Sequence, residues 1–170
     1  FDSEDIQNVN STVDPVRDLE IIETEMMLAD LESIQKRLEK NNKKNIDEEQ
    51  LKILEIASDC INNSKDIKIL YDQFEKKLIK QSGLLSLKPK IFVCNVDEES
   101  VESGNKYTET FITKFGEINT LIVPADIENQ INQLGNEEKE NYMEMIGLKR
   151  TGLNMLIQKG YLVLELDTYF

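Results

Sequence analysis

The sequence predicts an α/β protein that carries an all-helical module, and three observations predict it. Apolar residues recur at helical spacing from Leu19 to about Leu78. Short apolar runs of strand type occur only later, at KIFVCN (90–95) and TLIV (120–123). Helical segments then alternate with those runs, the βαβα order of a partly parallel sheet. At 170 residues the chain is long enough for one domain, or one domain and a piece.

The elements follow in order. Residues 1–13 are polar and acidic with isolated Ile6 and Val9, which reads as a strand remnant and a loop. Asp14-Pro15 starts a helix, because Asp can accept from free N–H groups and Pro suits the first helical position. Leu19, Ile22 and Met26, then Met27, Leu31, Ile34 and Leu38, give that helix an apolar core stripe to about Lys40. A polar tip, Asn41 to Asn45, precedes Asp47 and Gln50, which are spaced as a capping box for a second helix. Ile53, Ile56 and Cys60 form its buried side, and the pair reads as an antiparallel helical hairpin. A third helix over 66–80, with Ile67, Leu70, Phe74 and Leu78 inward and Gly83 as its stop, closes the module. The strand 90–95 is of the fully buried type. Helices over 103–115, 126–134 and 137–146 surround the second strand, and Thr151 and Gly160 bracket a last helix. Both ends of the chain read as cut.

Composition excludes several classes of function. Thirty-three acidic against twenty basic residues leave a net charge of −13, so the chain as a whole has no reason to condense on phosphate or on an anionic membrane. Any RNA contact has to be local. With no His, Ser/His/Asp, Cys/His and zincin-type centres cannot be built from this chain. Cys60 and Cys94 stand far apart without a Cys-x-x-Cys pair, which fits a reducing cytoplasm, and no apolar run is long enough to cross a membrane.

The most informative segment is Asn95-Val96-Asp97-Glu98, at the carboxyl end of a strand where α/β sheets bind ligands. An Asn-Lys-x-Asp strand end suits guanine, whose adjacent N–H donors a well-placed Asp accepts in pairs. Glu98 is one methylene too long for that, and Val96 in place of Lys leaves a backbone carbonyl to accept from an adenine amino group. The tetrad taken alone therefore leans to adenine. A plain alternative stands beside it: Asn95 caps a turn, and Asp97, Glu98 and Glu99 are a solvated acidic loop. At the second strand end, Pro124-Ala125-Asp126 could bring a backbone N–H to the same base, while Asp126 fits equally as a helix N-cap. Lys36, Arg37, Lys40, Lys43 and Lys44 gather near the hairpin tip, either as a contact for RNA or an acidic protein surface or as cations placed at helix ends by the dipole. The seven glycines nowhere form Gly-x-x-x-x-Gly-Lys-Ser/Thr, and no Asp-x-x-Gly follows a strand. No catalytic residue and no metal ligand is assigned.

Four segments carry a resemblance: VDPVRDLEIIETEMMLADLE (13–32), LSLKPKIFVCNVDEE (85–99), NEEKENYMEMIGL (136–148) and GLNMLIQKGYLVLELDTYF (152–170). In these blocks and their order the chain resembles the YchF, or Obg-like ATPase, family, also called EngD. The resemblance implies part of an Obg-type P-loop NTPase domain interrupted by a helical coiled-coil hairpin and followed by a TGS domain. Residues 1–13 would end the first part of the nucleotide domain, 14–87 would be the insert, 88–166 the rest of the nucleotide domain, and 167–170 the start of TGS. It implies that the complete protein hydrolyses ATP in preference to GTP with Mg²⁺ and associates with the ribosome. Asn95, Val96 through its backbone, and Glu98 correspond to the family's base-specificity motif. The family's next base-contacting loop commonly has Ser or Cys before a small residue. Here Pro124 can donate no N–H, which leaves Ala125. Without the phosphate loop, neither turnover nor tight nucleotide binding is expected of this chain alone.

Overall fold

The computed structural model describes residues 12–40, 46–101, 103–148 and 150–167. The expected strand remnant at 1–13 and the start of TGS therefore lie largely outside the described residues. Among the described residues two compact units emerge, one within Arg17–Lys88 and one formed by those from Pro89 onward together with those up to Val16.

In the helical unit, α1 (Pro15–Lys40) starts at the proline as the sequence predicts. α2 (Glu48–Asn62) is capped by Asp47, whose carboxylate accepts from the Glu49 N–H at 3.2 Å. The expected capping box does not form, because Gln50 turns its amide away and donates to the Leu78 carbonyl at 2.7 Å. Ile34, Ile53, Leu54, Ala57, Cys60, Ile67, Leu70, Ile79, Leu84 and Leu87 form the core. The α1 stripe is only partly used: Ile34 is fully buried, Leu31, Met26 and Met27 are half-buried, and Ile22 is 51% exposed.

The single helix expected over 66–80 is broken. A 3-10 turn at Ile67–Ile69 runs into α3 (Leu70–Gln73), the backbone extends at Phe74, and α4 (Lys76–Ser82) follows. Phase explains the break. Ile79 follows Leu70 by nine positions, about two and a half helical turns, so one continuous helix would aim the two side chains in opposite directions. With the break both are buried. Gly83 ends α4 in the left-handed conformation (φ 72°) that a side chain would disfavour.

One polar group organises this unit. Asp30 of α1 is 2% exposed. Its carboxylate accepts from the Leu85 N–H at 2.7 Å, the Ser86 N–H at 2.8 Å and the Ser86 hydroxyl at 2.6 Å. Two successive backbone donors aimed at one anion make a nest, and they fasten the segment after α4 to the side of α1.

The second unit holds the sheet. β1 (Phe92–Asn95) and β2 (Thr120–Val123) pair in parallel, with Phe92 opposite Thr120 and Asn95 opposite Val123. α5 (Lys106–Phe115) crosses between them and packs Phe111 and Phe115 on Phe92, with ring centroids 5.3 and 6.0 Å apart. β1 is not the fully buried strand expected. Phe92 and Cys94 are half-buried, while Val93 is 50% exposed, because α5 covers only one face of the strand among the described residues. α6 (Ala125–Gln133) buries Ile127 and Ile131, α7 (Asn136–Met145) follows, and α8 (Gly152–Leu164) starts from the Thr151 cap. Gly160 does not stop α8, which runs four residues further to a left-handed Glu165 (φ 55°). A helix-interior glycine costs only about 1 kcal/mol, and the run Tyr161 to Leu164 carries the helix past it.

Asp30→Ala would leave the Leu85 and Ser86 N–H groups without their acceptor and is expected to cost about 2–4 kcal/mol. Urea unfolding followed by circular dichroism checks this, and a loss below about 0.5 kcal/mol would show that the nest is dispensable.

Candidate functional site

The strand pairing brings the sequence-chosen residues together. β1 and β2 end side by side, and past their ends the Val96 N–H donates to the Val123 carbonyl at 3.2 Å, which extends the ladder by one rung. Asn95 then reaches across, and its Oδ1 accepts from the Ala125 N–H at 3.0 Å. Because Pro124 has no N–H, Ala125 offers the first amide after β2, at the start of α6 where helix N–H groups are unsatisfied.

The rest of the tetrad divides its roles. Val96 buries its side chain (2% exposed), and among the described residues nothing donates a hydrogen bond to its carbonyl. Asp97 is the residue that caps the turn: its Oδ1 accepts from the Ser100 N–H at 3.0 Å and starts a 3-10 turn at Glu98–Ser100. Glu98 stands on that turn with its carboxylate exposed and, among the described residues, unpaired. It borders an open groove whose other walls include Ile127 of α6 and Met145 at the end of α7. Asp126 is not an N-cap. α6 begins one residue earlier, so Asp126 sits in its first turn, where its charge complements the helix dipole. Cys94, beside Asn95, has its thiol pushed above the usual range by burial, so it stays protonated near neutrality.

Behind the strand ends lies an arrangement that the sequence reading did not single out. Thr151 caps α8 by accepting from the Asn154 N–H at 3.3 Å, and the Gly152 N–H donates to the Glu128 carboxylate. A Cβ on Gly152 would stand 2.6 Å from Cγ1 of Val123, so the backbone of α8 presses directly on the last residue of β2. A glycine immediately after an N-cap was the available signal, because it is a poor helix former at a place where almost any residue serves.

The basic group falls elsewhere, in the helical unit. Lys36 pairs with Glu32 four residues away and holds that carboxyl below its usual range. Arg37 donates to the Ser82 carbonyl at 2.7 Å, at the end of α4. Lys40 closes α1, and Lys43 and Lys44 lie outside the described residues.

Two comparisons with known proteins agree on what this chain is similar to. The chain is 35% identical over its full length to the ribosome-binding ATPase YchF of Haemophilus ducreyi and 34% identical to the protein of that name from Bacillus subtilis. The chain belongs to the YchF family. It spans about half the length of these relatives, 49% of each. A solved structure of the YchF GTPase of Schizosaccharomyces pombe superposes with a TM-score of 0.70 over 96% of this chain and 47% of that one. At 23% identity this likeness speaks for the fold. No family model matches the chain.

Within this chain, the strand-end residues and the Gly152 contact meet at one corner of the sheet unit. Gly152→Ala would push α8 off Val123 and is expected to destabilise the sheet unit by about 1–3 kcal/mol. Thermal unfolding checks it, and an unchanged midpoint would show that α8 does not press on β2.

Proposed function

We propose that this chain supplies the base-recognising half of a YchF-type nucleoside triphosphatase with an Obg-type P-loop NTPase fold. The observation that carries the reading is the link between Asn95 and the Ala125 amide across the carboxyl ends of two parallel strands, with Glu98 three residues along the chain and, among the described residues, unpaired. Asn95, Val96, Glu98 and Ala125 would meet the edge of the base. The Ala125 N–H is already taken by Asn95, so Asn95 shapes the site with its oxygen and offers its amide nitrogen outward.

Selectivity follows from reach. Guanine presents two neighbouring N–H donors to a short carboxylate, whereas adenine presents one amino group that the Val96 carbonyl or the longer Glu98 can accept. ATP over GTP is therefore the proposed preference. The complete protein would bind nucleotide with Mg²⁺, and among the described residues no cluster of three acidic or Cys side chains could hold a metal ion. The phosphates and their cation fall to residues outside this sequence, which contains no Gly-x-x-x-x-Gly-Lys-Ser/Thr. Alone, the chain should not hydrolyse ATP. Relatives carry the name ribosome-binding ATPase, and we extend the ribosome as partner, and with it a cytoplasmic site of action, to the whole protein. Because Lys36 and Arg37 are engaged within the helical unit, a contact through the basic tip would rest on Lys40, Lys43 and Lys44.

Glu98→Asp in the full-length protein should move the ATP-to-GTP affinity ratio toward GTP by about tenfold, or ~1.4 kcal/mol. Competition titration with a fluorescent nucleotide measures it, and an unchanged ratio would place selectivity elsewhere.

A further inference from the structure

We infer that Glu128 is a positioning residue for the loop that reads the base, an inference that rests on the nucleotide reading above. Glu128 lies one turn into α6, three residues after Ala125, and its carboxylate accepts from the Gly152 N–H at the start of α8. An anion at that place offsets the exposed donors and the positive end of the α8 dipole. Gly152 in turn has its Cα against the side chain of Val123, with no room for a methyl group. The Val123 carbonyl receives the Val96 N–H, and two residues on, Ala125 is held by Asn95.

The contacts form a closed circuit: Glu128 to Gly152, Gly152 to Val123, Val123 to Val96, Asn95 to Ala125, and α6 back to Glu128. Each link ties backbone to backbone or side chain to backbone, so the turn Val123–Pro124–Ala125 is fixed from behind as well as from the Asn95 side. Glu128 does not touch the base. It sets where the Ala125 amide stands, and through that where Asn95 and the Val96 carbonyl stand. Glutamine can replace it, because an amide oxygen also accepts from the Gly152 N–H, and leucine of similar size cannot.

Amide hydrogen exchange in the 170-residue chain, read by NMR, tests the positioning without nucleotide. Glu128→Leu should speed exchange at Ala125 and Val96 by about tenfold or more while amides of α5 stay protected, and Glu128→Gln should stay within about twofold of the parent. Thr151→Ala, which loosens the same helix end without touching Glu128, should act in the same direction and serves if the leucine variant does not fold. Unchanged exchange at Ala125 in the variant that folds overturns the inference. In the full-length protein, Glu128→Leu should weaken binding of a fluorescent ATP analogue by about fivefold, with Glu128→Gln near the parent. A loosened loop with unchanged ATP affinity also overturns it. If the parent binds no nucleotide while the exchange pattern holds, the nucleotide reading falls and the structural positioning of the loop by Glu128 stands.

Discussion

The parallel register of β1 and β2 is the constraint on which the candidate site depends. The strands share only four pairs, and the last sets Asn95 opposite Val123. A slip of one residue would turn Asn95 to the other face and bring a different backbone group opposite it. In the observed register the Asn95 side chain meets the first amide beyond β2, and Pro124 ensures that this amide is that of Ala125. Hydrophobic packing holds the register in place: Phe92 on Phe111 and Phe115 fixes β1 from one side, and Gly152 against Val123 fixes β2 at its end. The polar link is worth only about 0.5–1.5 kcal/mol in an exposed setting, so its role is to orient the loop, while the apolar contacts supply the stability.

The helical unit uses the same device in a buried form. Asp30 grips two successive amides 55 and 56 residues away, as Asn95 grips one amide 30 residues away. In both places a side-chain oxygen satisfies backbone donors that no regular element would have paired. This permits an irregular segment to be held at low conformational freedom without a longer helix or a wider sheet. Buried and accepting three hydrogen bonds, Asp30 is the costlier of the two to lose.

Much of this was legible in the sequence. The helix start at Pro15, both strands to within two residues, the Thr151 cap and the left-handed stop at Gly83 follow from local chemistry that tertiary contacts did not override. Three of the differences share a cause. The break at Phe74, the diversion of Gln50 to Leu78 and the exposure of Ile22 depend on which face of each helix finds a neighbour, and periodicity in one segment carries no information about that. Gly160 was misread because a single glycine has too small an energetic effect to end a helix whose flanks favour it. At the site, the tetrad and Ala125 were readable as positions, whereas Glu128 and Gly152 became visible only when α8 was found against β2.

The claim that the ends of β1 and β2 recognise a base is tested most directly by NMR chemical-shift mapping of adenine nucleotide binding to the protein that carries both halves of the nucleotide site. We expect the backbone signals of Val96, Glu98 and Ala125 to move together with ATP, and to move less with GTP at equal concentration. Saturable binding that leaves all three signals in place would contradict the account.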